Sequence, residues 1–394
     1  MAGYLIRRFI SGIFAFWIFT AILFFGINLL IPSDYVVTLS LSLEGNAARE
    51  ALREELGLNL PLTQQYINWL GQLVRGNLGQ EFTIEGRGYD VTHLIGGALP
   101  STLLIFLTGG FLAFMIGQWL GQVTAWKMPR WASGSLLLGA IASYTAFPPW
   151  LAFLIGFLLV DYLGLLPSRY QNGNLDGNVW RGAPYTVPEV LIRMLVVVLV
   201  MFALLVIVNK LAQHFMKQGL PLGINILLFF VGNVLLWRAG GFGVYAVDIA
   251  KLAAIPILVF TLLSFGDTML ITRASIQDVK LEMYIQTARA KGVPEKDIRR
   301  KHAGRNAILP VLSQFVISIP YLMTAIVIVE RATGWSGIGD MLFNAVSDQN
   351  TYVYMGILVI VGLVSLIARL FLDVAYAVMD PRIRFSTYER GGAI

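Results

Sequence analysis

The residues of this chain that could carry chemistry are not grouped for catalysis. Its three histidines, His93, His214 and His302, stand far apart in sequence, and it has no cysteine. A metal centre is therefore not expected, and disulfides, thiol nucleophiles and Cys-based metal sites are excluded. No G-x-x-x-x-G-K-[ST] loop is present, so the chain is not expected to hydrolyse ATP itself. The notable feature is a concentration of charge: nine Lys and Arg fall between Arg273 and Arg305. Inside that basic stretch lies an uncharged corner of small residues, Ala288, Ala290 and Gly292, followed by Pro294. The sequence from Arg273 forms helix readily through Lys291; Gly292 breaks it, and Pro294 suits the first turn of a second helix. A tight corner of small residues can bring its backbone close to a partner's surface. A basic loop resting on anionic head groups is the plainer alternative, but such a loop has no need of small residues at a turn.

The elements that must position this loop belong in a bilayer. Of 394 residues, 57% are hydrophobic and only 13% charged, about half the charge of a soluble domain; the mean hydropathy is +0.70. The net charge of +6 would suggest nucleic acid in a soluble protein. Here cytoplasmic Lys and Arg loops explain it, and no nucleic-acid partner is expected. A membrane helix needs roughly 20 apolar residues, and eight such runs occur, at 9–31, 99–122, 134–160, 188–208, 219–237, 252–272, 310–329 and 353–376. The first follows Arg7-Arg8 but is longer than a signal-peptide core and lacks a cleavage site, so a retained span is expected. With the N-terminus inside, 18 of the 29 Lys and Arg fall on the inner side, which places both termini in the cytoplasm.

The fold class expected is all-α, a polytopic membrane helical bundle. Residues 1–31 form the first span and 32–98 a folded outer segment. In that segment 46–57 reads as a short helix capped by Asn46 and ended by Gly57. Leu62–Val74 reads as an amphipathic helix with Tyr66, Ile67, Trp69, Leu70 and Leu73 mostly on one face. Residues 99–187 hold the second and third spans with an outer loop from 161. Residues 188–243 hold a further helical hairpin. Residues 244–394 hold the remaining spans, the cytoplasmic loop 273–309, the outer loop 330–352 and a C-terminal tail. The second span carries Gly109, Ala113, Gly117 and Gly121, a stripe that lets another helix approach within the subunit or from a neighbour. Three charges lie within apolar runs. Arg369 and Asp373, four residues apart, are expected to pair, and Asp267 is expected to find a partner near Arg273.

The run Tyr284-Ile285-Gln286-Thr287-Ala288-Arg289-Ala290-Lys291-Gly292, followed by His302, Arg305-Asn306-Ala307 and Leu309-Pro310, resembles the EAA-type loop of ABC importer permeases. It is most similar to the dipeptide/oligopeptide type. Leu52–Leu58, Pro61-Leu62, Trp69-Leu70 and Gly76-Asn77-Leu78-Gly79 resemble the outer segment of the first (B-type) permease of such systems. Leu99–Leu103, Phe147-Pro148, Leu165–Pro167 and Asp380–Arg384 continue the likeness in the right order. In the outer loop the family pattern E-x-x-F-x-W-P-G-L-G stands here as Glu330 to Gly339, with Thr333 and Ser336 in place of Phe and Pro. The family core has six spans, so the pair at about 188–237 reads as an insertion.

The resemblance implies a type I importer permease in a prokaryotic cytoplasmic membrane, moving small peptides by alternating access. It implies as partners a second, homologous permease, two P-loop ATPase subunits that use ATP and Mg, an extracytoplasmic substrate-binding protein, and membrane lipid; this chain itself binds no cofactor. The coupling loop would comprise Tyr284, Thr287, Ala288, Arg289, Ala290, Lys291, Gly292, Pro294, Ile298, His302, Arg305 and Asn306, and Gly292→Trp is expected to uncouple transport. Glu330, Trp335, Gly337 and Gly339 would face the binding protein, with Trp335 either a mobile probe or an interfacial anchor. Oligosaccharides or another small solute are alternative cargoes. An ion-coupled secondary transporter is the rival class; it would show internal repeats and midplane ion sites, and neither is evident.

Overall fold

The computed structural model describes residues 2–30, 50, 53–54, 57–83, 86–126, 128–167, 174–216, 219–299 and 304–379. Among the described residues the regular structure is helical apart from one short hairpin, and the contacts divide the chain into two units.

The first unit comprises Met1–Gly97 and Met341–Ile394. Its long helices are α1 (Ala2–Leu30) and the C-terminal α15 (Thr351–Met379), which pack on each other. The contact is close because glycines sit on it: a Cβ at Gly12 would come 2.9 Å from Leu366, and one at Gly362 would meet the ring of Phe19. Arg8 reaches Asp373 at 3.9 Å. The expected Arg369–Asp373 pair does not form, because α1 brings Arg8 to the carboxylate while Arg369 stays exposed. Helix α2 (Leu62–Val74) has the predicted bounds. Tyr66 and Trp69 are buried against Phe24, with ring centroids 5.4 Å away in each case, whereas Ile67 is 65% exposed and does not belong to the buried face. Gly57 adopts the left-handed conformation expected of a helix stop; Asn46 lies outside the described residues. Strands β1 (Gln80–Thr83) and β2 (Gly86–Asp90) form an antiparallel hairpin, Thr83 opposite Gly86, which the sequence reading did not anticipate.

The second unit, Ala98–Asp340, is organised around α9 (Gly243–Leu281). Helix α3 (Val91–Trp126) enters this unit at Ala98 and lays its small-residue stripe on α9. A Cβ at Gly117 would come 2.7 Å from the Phe265 carbonyl, one at Gly121 would come 2.6 Å from Thr272, and Ala113 is fully buried. The stripe therefore serves contact within the subunit. Helices α7 (Val187–Met216) and α8 (Leu222–Ala239) form the inserted hairpin. Phe202 and Phe229 stack at 5.4 Å and close on Phe111 of α3 at 4.8 and 4.9 Å, so the insertion is packed against the core. Between α3 and α7 the short helix α6 (Gly177–Trp180) is tied to α9, since the Trp180 indole N–H donates to Asp248 at 3.0 Å.

Among the described residues all eight predicted runs are helical in the main, but two are broken. Among the described residues, six helices are long and apolar enough to cross a membrane. Run 134–160 is instead α4 (Arg130–Tyr144) and α5 (Pro148–Gly156, continued by a π turn through Tyr162), bent by 106°. Pro148 and Pro149 lack amide protons, and Pro148 holds Phe147 extended. Run 310–329 is divided between α12 (Gly304–Ile317) and α13 (Ile319–Thr333), with a 57° bend beside Pro320.

Candidate functional site

The basic loop leaves α9 at Leu281. Glu282 turns extended, with ψ 140°, and a separate helix, α10 (Met283–Ala290), begins at once. The continuous helix expected through Lys291 is therefore broken at Glu282. The reason is tertiary: turning there lets Ile285 and Ala288 fold back into an apolar cluster with Ile298, Val279, Val293 and Trp126. Ile285 and Ile298 are fully buried and Ala288 nearly so.

The far end of α10 is closed by the backbone. Gly292 has φ +73°, its N–H donates to Arg289 O at 2.9 Å, and the Val293 N–H donates to Ala288 O at 3.1 Å. This is a Schellman ending, in which a residue without Cβ takes the left-handed position and the next residue packs back on the helix. Pro294 precedes the one-turn helix α11 (Glu295–Asp297) rather than occupying its first position.

Polar groups bracket the turn. The Glu295 carboxylate accepts from Arg289 Nε at 2.7 Å and from the Trp126 indole N–H at 2.9 Å. Lys280 donates to the Ala125 carbonyl at 2.6 Å and lies 4.8 Å from the centre of the Trp126 ring. The hydrogen bond from Arg289 is the main cause that holds the Glu295 carboxyl below its ordinary range. Trp126, Lys280 and Glu295 were missed in the sequence, since Trp126 sits about 170 positions away from Glu295 in the chain.

The predicted coupling residues thus divide. Ala288 and Ile298 face inward, and Arg289 is engaged with Glu295. Tyr284, Thr287, Ala290, Lys291, Gly292 and Pro294 are exposed on the other side, together with Met283 at 82%. Arg305 and Asn306 lie on α12, and His302 falls outside the described residues.

The second predicted group forms a knot instead of an exposed loop. Helix α13 ends at Gly334, in the left-handed region, and α14 (Ile338–Ser347) starts four residues later. Glu330 is fully buried between them. Its carboxylate accepts from Thr102 Oγ1 at 2.6 Å, Gly339 N at 2.7 Å and Asp340 N at 3.2 Å, the last two being free amides at the start of α14. Thr102 in turn accepts from Ile338 N at 2.8 Å. A Cβ at Gly337 would collide with the Glu330 carboxylate, and one at Gly339 would come 2.5 Å from Val327 Cα. Trp335 is 4% exposed and donates to the Ser101 carbonyl at 3.2 Å. Its ring is packed within the subunit and its indole N–H is held by that carbonyl, so it does not stand free as a probe.

Asp267 makes no ion pair or hydrogen bond among the described residues, and Arg273 does not reach it. Six residues along a helix place the two side chains on different faces.

Comparison with known proteins agrees with these features. Residues 117–385 match the family described as "Binding-protein-dependent transport system inner membrane component", and residues 1–86 match the N-terminal region of such membrane components. The chain is 28% identical over 385 residues to the oligopeptide transport system permease protein AppB of Bacillus subtilis (strain 168), covering 98% of this chain and all of the relative. It is 27% identical over 371 residues to the di/tripeptide transport system permease protein DppB of Pseudomonas aeruginosa (strain UCBPP-PA14), covering 92% and 95%. It is 25% identical over 348 residues to the oligopeptide transport system permease protein OppB of Mycobacterium tuberculosis (strain H37Rv), covering 86% of each. Helices long enough to cross a membrane, the family match and these full-length likenesses lead to one conclusion: the chain belongs to the family of binding-protein-dependent transport system inner membrane components and is a multi-pass permease subunit.

Proposed function

We propose that the chain is one of two permeases in an ATP-driven importer of small peptides, and that the exposed face of α10 receives a motor ATPase. One observation carries the docking assignment. Helix α10 is fixed along one side by Ile285 and Ala288, while Tyr284, Thr287, Ala290 and Lys291 project from the other. A helix held rigidly by its inner face can transmit a push received on its outer face. In this reading α10 is cytoplasmic, ATP and Mg are bound by two partner subunits, and closure of that ATPase pair rocks this chain against a second permease. An external binding protein delivers the cargo. The peptide cargo is supported by relatives whose names specify oligopeptide or di/tripeptide transport. The membrane is accordingly the prokaryotic cytoplasmic membrane.

The test is a pair of substitutions on opposite faces of α10. Ala290→Trp is expected to abolish ATP-dependent uptake and ATPase co-purification while the subunit still inserts and folds. Ala288→Trp is expected to destabilise the loop itself, by about 1–3 kcal/mol for overpacking. Gly292→Trp is less clean, because its φ of +73° adds backbone strain although nothing lies within 4 Å of a Cβ there. Normal ATPase binding by Ala290→Trp would sink the docking assignment.

A further inference from the structure

The two broken helices come together at a pair of tyrosines, one of them packed beside the Asp267 position of α9. Tyr144 is the last residue of α4 before the 106° bend, and Tyr321 lies in the first turn of α13 after the 57° bend. Their rings approach with centroids 6.5 Å apart. Asp267 on α9 is adjacent. At the preceding residue, Gly266, a Cβ would come 3.1 Å from Tyr144 Cβ. The end of α4 is pinned there, since Ser143 Oγ donates to the Leu262 carbonyl at 2.6 Å. Tyr144 is 36% and Tyr321 58% exposed, and Asp267 is only partly buried.

Two independent arguments keep this face away from lipid, against protein or water. A carboxylate within an apolar run, without a hydrogen bond or ion pair among the described residues, is too costly to point into hydrocarbon. Interrupted backbone is tolerated at membrane depth only where it is buried in protein or lines a water-filled cavity. The arrangement also has a chemical preference. One anionic group beside two aromatic faces attracts a cation through charge and through the ring quadrupoles. We propose that Asp267, flanked by Tyr144 and Tyr321, is a way-station on the translocation path for a positively charged amine, such as the terminal ammonium of a peptide. This rests on the importer reading above.

The chain's lack of cysteine supplies the test. Tyr321→Cys introduces its single thiol, with Tyr144→Cys as a second reporter should the first disturb folding. Membranes holding the full chain are reacted with two methanethiosulfonates of similar size, one bearing an ammonium and one a sulfonate, and labelling of this chain is followed by mass. Both reagents are expected to react, the cationic one roughly ten-fold faster. Adding Asp267→Asn should abolish that preference, and Asp267→Glu should keep it. Failure of either reagent to reach both cysteines, or a preference unchanged by Asp267→Asn, overturns the proposal. Labelling does not depend on what is transported. A complex that imports no peptide yet shows the Asp267-dependent preference refutes the cargo and leaves the site standing.

Discussion

The two glycine-containing corners of this permease, at Gly292 and at Gly337–Gly339, look alike in sequence and are built on opposite principles. At Gly292 the glycine is there for its backbone angle: φ is +73° and a Cβ would touch nothing within 4 Å. The corner is closed by main-chain hydrogen bonds and an exposed Arg289–Glu295 pair, so its outer surface stays open. At Gly337 and Gly339 the glycines are there for space, because a buried carboxylate and a helix backbone occupy the volume. That corner turns inward around Glu330 and offers little surface. One kind of corner suits a surface that meets a partner; the other suits a fixed joint between two helices.

The comparison can be broken most decisively at Glu330. Glu330→Ala leaves the Thr102 hydroxyl and two α14 amides without their acceptor, at about 1–3 kcal/mol for each buried group left unsatisfied. The purified subunit should lose several degrees or more of thermal stability; an unchanged melting curve would mean the knot is not a fixed joint. Gly337→Ala should be next, costing about 1–3 kcal/mol by overpacking against that carboxylate, read in the same melt. Gly292→Ala should cost about 1–2 kcal/mol from the left-handed backbone alone, and Gly292→Asn should recover part of it. If Gly292→Ala proves as damaging as Gly337→Ala, space and not backbone angle governs both corners.

The smallest effect belongs to Glu295. Its carboxyl is held below the ordinary range by Arg289, so the pair's contribution is present at neutral pH and is lost as pH falls through that lowered value. Both side chains are about half exposed, which limits the contribution to about 0.2–1 kcal/mol. Glu295→Gln should cost no more than that at pH 7 and should remove this part of the acid sensitivity, measured by thermal melts between neutral and acidic pH.

Much of this was legible in the chain. Apolar runs of about 20 residues declare membrane helices whatever their neighbours, and all eight were helical. Helix α2 was found with its bounds, and Gly292 was recognised as a break, because amphipathic periodicity and glycine stops are local signals. The helix break and exposed corner at Gly292 were legible from its small residues, while its docking role is the proposal made above. The hairpin β1–β2 was not legible, since its pairing joins residues whose local sequence carries no strong strand pattern.

What the sequence alone determined about this permease is its medium, its helical character and the position of its exposed corner. All three depend on composition and spacing along one segment. Only the tertiary structure decided which side of α10 is free, that Trp335 is packed in place, and that Asp373 takes Arg8. It alone brought Asp267 to two broken helices. Each of these depends on a group supplied from elsewhere in the chain. Burial and pairing are settled by which distant segments meet, and a single sequence does not specify those meetings residue by residue.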